Sequence, residues 1–175
     1  MKRFLLFTAL SIFMMTSAMG QNVPQKIGYV NTETILAAIP EYKVASEKLE
    51  TLSNQYQEKI KQEYSKIETL YNTYQKQKAT LSAATRQAKE NEIITKEREV
   101  KKLQQSYFGQ DGQIQKKSEE LIGPIKEKVQ KAIDMVAEKG GYLMIIDIAT
   151  SGGVVYAASD ADLSQQVINI YPTLK

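Results

Sequence analysis

Any acid–base or metal chemistry in this 175-residue chain would rely on carboxylates and lysines, because the sequence contains no His, Cys or Trp. The missing His removes the commonest general base and metal ligand, and the missing Cys removes disulfides, thiolate zinc sites and cysteine nucleophiles. Ser-His-Asp hydrolases, His-ligated zinc sites and the usual haem sites are therefore excluded. No carboxylates or lysines form a recognisable catalytic pattern, so we predict no enzyme activity, no metal and no cofactor.

Asp147 and two glycine pairs are the remaining candidates for a chemical site. Asp147 lies in an apolar run, and a buried carboxylate can have a perturbed pKa and act in catalysis. Hydrogen bonding at a turn is the interpretation we favour. Gly140-Gly141 and Gly152-Gly153 do not form a phosphate loop, because neither pair opens a helix after a strand with the required Lys and Ser/Thr. We interpret the first pair as a helix end and the second as a turn.

Residues 26–40 have the pattern of a strand followed by a helix. The run KIGYV, Lys26 to Val30, is rich in β-branched and aromatic residues and predicts a strand. Asn31 or Thr32 is then suited to cap a short helical turn. Pro40 follows at a place where a long helix can begin, because its fixed φ and missing N–H are tolerated in the first turn.

The C-terminal part predicts a β-hairpin and a last helix. Tyr142 to Ala149 is an almost continuous apolar run, residues 151–153 are turn-forming, and VVYAA, Val154 to Ala158, predicts a second strand. Asp160 or Asp162 can cap a final short helix. Three short strands make a poor sheet alone, so we expect self-association to supply the missing neighbours.

The middle of the sequence predicts a long helix from Glu41 to Leu81, roughly 60 Å in length. Apolar or aromatic side chains recur along it at steps of three and four residues, with consecutive steps of four around Tyr56 to Ile67 that act as a stutter in a heptad pattern. The members of this predicted seam are Tyr42, Ala45, Leu49, Leu52, Tyr56, Ile60, Tyr64, Ile67, Tyr71, Tyr74 and Leu81.

A helix of that length needs a partner, and the following sequence predicts that the chain turns back. Residues 79–84 break the pattern, and Ser82 is a suitable N-cap for a returning helix. Gly109 and Gly112 mark a weak or kinked place, and Gly123-Pro124 is expected to interrupt the return and open a shorter helix that ends at Gly140-Gly141. A looser apolar seam runs through Ala84, Ala88, Ile94, Val100, Leu103, Tyr107 and Ile114.

The first twenty residues predict a secretory signal peptide. Lys2 and Arg3 precede an uncharged apolar run from Phe4 to Met15, and small residues stand at Ala18 and Gly20. We expect cleavage near Gly20 and export to the periplasm, since the run is short for a membrane anchor. Loss of two basic residues leaves 21 basic and 20 acidic side chains, so the net charge falls from +3 to +1.

A net charge of +1 does not attract nucleic acid through a bulk field, and we predict no nucleic-acid partner. The charge is uneven, however, because residues 75–102 carry 8 basic and 4 acidic side chains. We expect this excess near the tip of the helical hairpin, although a solvated end with no role is an equally simple interpretation. The candidate electrostatic residues are Lys76, Lys78, Arg86, Lys89, Lys96, Arg98, Lys101 and Lys102.

Four features occur together in this order: a signal peptide, the run KIGYVNTETIL, a charged helical hairpin, and the run AIDMVAEKGGYLMIIDIATSGGVVYAASDADLSQQVI. In these features the chain resembles the Skp/OmpH family of periplasmic chaperones, over essentially its whole length after the signal peptide. The resemblance implies a homotrimer in which strands of three subunits form a small body and three helical hairpins surround a cavity. It further implies an ATP-independent holdase that binds unfolded outer-membrane β-barrel proteins. The fold class expected is α+β and mostly helical, with a hairpin at 41–123 inserted into a body of 21–40 and 124–175.

The resemblance also assigns expected roles to side chains. Aromatic residues of the hairpin are candidates for client binding, although aromatics at this spacing more often only pack the hairpin; they are Tyr56, Tyr64, Tyr71, Tyr74 and Tyr107. Apolar residues of the strands are expected at the trimer interface, namely Ile27, Tyr29, Val30, Leu143, Ile145, Ile146, Val154, Val155 and Tyr156. Family members are described as strongly basic, so a chain at +1 is expected to contact a membrane surface or lipopolysaccharide only weakly.

The sequence leaves a second kind of function open. An envelope structural or adaptor protein could use the same coiled-coil hairpin to dock onto a folded partner. Such an adaptor would co-purify with one defined partner, whereas a holdase would keep an unfolded β-barrel protein soluble.

Overall fold

The computed structural model describes residues 26–174 and confirms a mostly helical α+β chain. No helix in this range has both the length and the apolar character that crossing a bilayer would need. The predicted signal peptide, residues 1–20, lies outside the described residues. The elements are β1 (Lys26–Val30), α1 (Thr32–Ala37), α2 (Pro40–Gln77), α3 (Ala83–Phe108), α4 (Gln113–Gly140), β2 (Tyr142–Asp147) and α5 (Ser164–Ile170), with 3-10 turns at Ser159–Ala161 and Tyr171–Thr173.

Local sequence signals set most helix ends as predicted. Asn31, rather than Thr32, caps α1 by accepting a hydrogen bond from the Thr34 amide, and Ser82 caps α3 by accepting one from the Thr85 amide. Pro40 is the first residue of α2. Gly141 ends α4 with a φ of 66°, a left-handed conformation that suits glycine because it has no Cβ.

The start of the last helix differs slightly from the prediction. The α5 helix begins at Ser164 with Leu163 in the N-cap position, so neither Asp160 nor Asp162 is the cap residue itself. The Asp162 carboxylate nevertheless accepts a hydrogen bond of 2.8 Å from the Ser164 amide. It therefore satisfies one of the amides that the first turn leaves unpaired.

The sheet consists of β1 and β2, which are parallel and lie far apart in sequence. Their register pairs Gly28 with Ile145 and Val30 with Asp147. On its other side β1 makes a single bridge, in which the Leu163 amide donates to the Tyr29 carbonyl over 2.8 Å. Among the described residues, the outer edge of β2 has no neighbouring strand.

The predicted hairpin between residues 142–149 and 154–158 is wrong. Residues 154–158 form no strand, and β2 pairs with β1 instead. Val155 is fully exposed and Tyr156 is 86% exposed, so these two side chains pack on nothing within the described chain, whereas Val154 is only 37% exposed. A strand is stable only when its backbone groups pair and one face is covered, and residues 154–158 have neither in a single chain.

The core of the protein brings together elements from both ends of the sequence. The buried side chains come from β1, α1, the first turns of α2, α4 from its middle onwards, α5, and residues directly next to the ends of α2 and α5. They are Val30, Ile35, Ile39, Ala45, Ile125, Val129, Ala132, Val136, Leu163, Val167 and Tyr171. We call this part of the molecule the body.

A second, thinner core joins the two arms of the hairpin. Its buried residues are Ile67 and Tyr74 of α2 and Ile93 and Val100 of α3. The predicted seam is wrong at five positions. Tyr64 and Tyr71 are exposed while the neighbouring Glu63 and Leu70 are half-buried, and Ile93 is buried instead of Ile94. Ala84 and Ala88 of the returning arm are exposed as well. In α2 the less exposed positions run 56, 60, 63, 67, 70 and 74, so the steps of three and four resume directly after Ile60.

The returning arm breaks at the weak place predicted around Gly109 and Gly112, and the interruption predicted at Gly123-Pro124 is wrong. Helix α4 continues through Pro124, whereas the chain is interrupted at residues 109–112, between α3 and α4. Pro removes only one helical hydrogen bond, and the preceding Gly123 has no Cβ to clash with the proline ring. Leu121 and Ile122 before the proline and Ile125 after it all pack on the body core, which stabilises the helix on both sides.

Candidate functional site

The candidate functional surface is the helical hairpin, whose apolar side chains are only partly used in packing. Tyr64 and Tyr71 of α2 are 42% and 48% exposed, and Phe108 at the end of α3 is 38% exposed. Each offers a large apolar face, and the tyrosines add a hydroxyl that can form hydrogen bonds. Two of the five predicted client-binding tyrosines are thus accessible on a single subunit.

Two further tyrosines of the predicted set pack on each other where the returning arm is interrupted. The Tyr56 and Tyr107 rings are stacked with their centroids 3.9 Å apart, and Phe108 meets both rings edge-on. The Tyr56 hydroxyl donates a 2.5 Å hydrogen bond to the Gln113 side chain at the start of α4. These contacts connect α2 to the end of α3 and the start of α4, and we call this region, with residues 109–112, the waist.

The waist needs glycine at position 112. A Cβ there would lie 2.7 Å from the Tyr107 carbonyl oxygen and 2.9 Å from backbone atoms of Gly109. The Gly112 amide donates to the Gly109 carbonyl over 2.9 Å, which closes the turn. The predicted weak place at Gly109 and Gly112 is therefore a tight turn between two helices.

Tyr74, the fifth predicted tyrosine, is buried between the arms. Its hydroxyl donates to the Glu90 carboxylate across the hairpin. This hydrogen bond, and then burial, raise the pKa of Tyr74 above its ordinary value. The Lys78 ammonium lies 5.6 Å from the ring centroid. Tyr74 thus stabilises the hairpin, and its ring is covered by neighbouring side chains.

The eight predicted electrostatic residues fall into two groups of different position. Lys76, Lys78, Arg86 and Lys89 lie around the turn at residues 78–82, and residues 75–89 contain no acidic side chain. We call these four the tip quartet. The other four lie further along α3, where residues 90–102 carry four acidic and four basic side chains; this shaft quartet is Lys96, Arg98, Lys101 and Lys102.

Ion pairs do not hold the two arms together within residues 26–174. The salt bridges found there all join residues three apart on one helix, for example Lys96 with Glu99 at 2.8 Å and Lys89 with Glu92 at 3.0 Å. Such exposed pairs contribute little to stability. The hydrogen bond to Glu99 also raises the pKa of Lys96, so its charge is partly matched locally. The tip is therefore where the net positive charge lies.

The predicted association residues are divided between the core and the surface of the body. Val30 is buried in the core, and Tyr29, Ile145 and Ile146 are half-buried. Ile27 and Leu143 are mostly exposed at the sheet, and exposed residues 154–156 follow β2 in the sequence. The exposed members therefore belong to β1, β2 and the segment that follows β2, and the outer edge of β2 pairs with no strand among the described residues.

Asp147 has the structural role that the sequence favoured. Its carboxylate accepts hydrogen bonds from the Thr32 hydroxyl and amide, the Ala149 amide and the Thr150 hydroxyl, at 2.7 to 3.1 Å. Partial burial on its own raises the pKa of Asp147, but these four donors outweigh that effect and hold the pKa below its ordinary value. The carboxylate joins the end of β2 to the start of α1.

Sequence reasoning missed several exposed apolar side chains, among them Val44 of α2, which is 50% exposed. Phe108 lies at the waist and Met144 lies in β2, where it is about half exposed. The position of Phe108 directly before Gly109, where the helix ends, was a usable signal. Met144 gave none, because a continuous apolar run does not indicate which residues face outwards.

Known proteins resemble this chain in sequence and in fold. The family profile described as outer membrane protein (OmpH-like) matches residues 26–171. The chain is 28% identical to the chaperone protein Skp of Yersinia enterocolitica over 168 residues, which covers 96% of this chain and 98% of that protein. It is 24% identical to the chaperone protein Skp of Vibrio cholerae, with the same coverage.

A solved structure shares the fold. It is an OmpH-like outer membrane chaperone from Caulobacter crescentus, with a TM-score of 0.64, 11% sequence identity and 85% of each chain covered. The family resemblance predicted from the sequence is confirmed. Because the profile match spans most of the chain, this protein belongs to the OmpH-like outer membrane protein family.

Proposed function

We propose that this chain is a periplasmic holdase chaperone that binds unfolded outer-membrane β-barrel proteins and prevents their aggregation without ATP. The observation that carries the proposal is the hairpin, in which α2 alone is 38 residues long and leaves Tyr64, Tyr71 and Phe108 exposed. Apolar surface of this kind marks a site of interaction with other chains. Membership of the OmpH-like family, and relatives named as chaperones, support this function and agree with the prediction that the chain is not an enzyme.

The working form in this proposal is a homotrimer. Exposed apolar residues 154–156 and the unpaired edge of β2 are suited to pairing with strands of other subunits. Three hairpins would then surround one cavity, and many weak contacts with a trapped chain would act together. Such binding is reversible and needs no nucleotide.

The positive charge at the tip would help to capture acidic clients. A positive tip would speed the capture of acidic unfolded chains, because long-range attraction raises association rates. Export through the predicted signal peptide would place the protein where such chains pass. Any contact with a membrane surface or lipopolysaccharide is expected to be weak at a net charge of +1.

The test measures aggregation and mass together. A urea-unfolded outer-membrane β-barrel protein is diluted into buffer with increasing amounts of the mature chain and no ATP, and turbidity is followed. We expect turbidity to disappear at about one trimer per client, and light scattering to give the mass of three chains plus one client. A monomer that leaves the client to aggregate would contradict the proposal. A chain that instead co-purifies with one folded envelope protein would favour the adaptor function.

A further inference from the structure

A groove lies beside the waist, between α2 and the last turns of α3. Its volume is about 510 Å³, and it is lined by Gln57, Ile60, Lys61, Tyr64, Gln104 and Phe108. Sites that bind small apolar groups have volumes of about 300–1,000 Å³. We call this the waist groove.

The aromatic walls of the waist groove are held from behind. Phe108 meets the stacked pair of Tyr56 and Tyr107 edge-on, at centroid distances of 6.4 and 6.5 Å. Its position is therefore supported by two other rings, while 38% of its surface remains exposed. A second depression is lined by Lys101, Gln105 and Gly109, and it shares Phe108 and Gln104 with the waist groove.

The polar rim of this region has one sign of charge. Lys61 lines the groove and Lys101 lines the adjoining depression, whereas no carboxylate lines either one within residues 26–174. The nearest acidic partner of Lys61 is Glu58 at 3.8 Å, a weak pairing between two largely exposed side chains. The amides of Gln57 and Gln104 can donate or accept hydrogen bonds and suit a polypeptide backbone.

We propose that the waist groove binds an aromatic side chain of an extended polypeptide in which an acidic residue flanks the aromatic one. The ring would pack between Tyr64 and Phe108, and the carboxylate would lie near Lys61 or Lys101. This deepens the chaperone function proposed above, because it names the class of client segment that one part of the hairpin recognises. Client segments that alternate aromatic and acidic residues would be held at the waist, and segments rich in lysine would not.

The direct test uses a short unstructured peptide. The probe has blocked ends and a single Phe between two aspartates in a Gly/Ser background, and it is titrated into the full mature chain labelled with ¹⁵N. We expect the largest chemical-shift changes at the amides of Tyr64, Gln104 and Phe108. Replacing the Phe of the peptide by Ala should abolish them. Changes concentrated elsewhere on the protein, or none at all, would overturn the proposal.

Two variants with matched controls separate binding from folding. Phe108→Ala should weaken peptide binding about tenfold through loss of aromatic contact. Its control is Ile94→Ala, which removes an exposed apolar side chain of α3 that does not line the groove. Lys101→Glu should weaken binding about threefold and should favour a peptide with lysines in place of the aspartates. Lys102→Glu makes the same change of charge next to it and should not reverse this preference.

The outcomes distinguish this proposal from the one on which it rests. A preference that Lys101→Glu reverses but Lys102→Glu does not would support the waist groove, since a variant that merely unfolds binds neither peptide better. Equal losses in Phe108→Ala and Ile94→Ala would overturn it. Suppressed client aggregation without peptide binding would refute the groove and leave the holdase function standing, whereas groove binding without suppression would refute the holdase function alone.

Discussion

Individual polar residues in this chain stabilise the fold by connecting elements that are distant in sequence. Asp147 links the end of β2 to the start of α1 through its four hydrogen bonds, and Tyr74 links the two arms of the hairpin through Glu90. Hydrogen bonds to charged groups contribute more than neutral ones. The sequence indicated a turn role for Asp147, but not its donors, because Thr32 lies 115 residues away.

Asp147→Asn is predicted to lower the free energy of unfolding by about 1–3 kcal/mol at pH 7. One of the two accepting oxygens would be replaced by an NH₂ group, which is a donor and would face the donors that now bind the carboxylate. The folded pKa of Asp147 lies below its unfolded value of about 3.9, so its stabilisation is present above that pH. It is lost as the pH falls through the folded pKa. The difference between wild type and variant should therefore shrink towards pH 3.

Urea unfolding followed by circular dichroism at pH 7 and pH 3 measures this difference. Both proteins are compared at the same concentration, because association changes apparent stability. Asp160→Asn, a change at an exposed acidic residue of the same part of the chain, serves as the control and should have little effect. A difference for Asp147→Asn that stays constant down to pH 3 would contradict the assignment.

At the scale of helices and strands, sequence signals predicted where elements begin better than which faces they bury. Ser82, Pro40 and Gly141 act through their own backbone and near neighbours, so their effects can be inferred locally. The choice between Glu63 and Tyr64, or between Ile93 and Ile94, depends on the direction of the partner helix. Adjacent residues differ by only about 100° around a helix, and an apolar pattern alone does not resolve that difference.

The change of partner along α2 accounts for the shift in its buried face. Between the body and the waist, α2 faces α4, and Leu52 and Leu121 line a shared groove. Between the waist and the tip, α2 packs on α3 through Ile67 and Val100. The returning arm breaks between these regions, opposite Tyr56. The stutter predicted in α2 lies close to this break. The heptad pattern indicates only a local change in supercoiling and does not indicate a break in the other arm.

Reversing the tip quartet (Lys76, Lys78, Arg86 and Lys89 to Glu) is predicted to slow client capture about tenfold at low ionic strength, since the tip carries the positive charge excess. The measurement is the association rate of a labelled, unfolded, acidic β-barrel protein by stopped-flow fluorescence. The effect should shrink at 1 M salt, where the Debye length is about 3 Å.

The shaft quartet supplies a control with the same change in net charge. Its members lie among four acidic residues of α3, and Lys101 is roughly 27 Å from the start of that helix. Reversal of Lys96, Arg98, Lys101 and Lys102 should therefore slow capture less than reversal of the tip quartet. Equal rates for both variants would indicate that only overall charge matters, and salt-independent rates would exclude steering.

At the scale of the whole molecule, the described chain on its own leaves part of the body uncovered. The sheet has two strands, and isolated two-stranded sheets are marginal in water. Val155 and Tyr156 expose apolar surface that monomeric proteins usually bury. The strand predicted at residues 154–158 is absent from the structure, because the local apolar pattern does not state whether any neighbouring strand is available for pairing.

The double change Val155→Asp and Tyr156→Asp is predicted to convert the proposed trimer to a monomer, because two charges would be placed without partners in the proposed apolar interface. Light scattering of the mature chain should give the mass of one subunit in place of three. Both residues are exposed in the subunit, so its helix content by circular dichroism should stay close to that of wild type. Ile94→Asp, a charge introduced at an exposed apolar residue of the hairpin, should remain trimeric. A wild-type chain that is already monomeric, or a double variant that stays trimeric, would show that residues 154–156 do not mediate assembly.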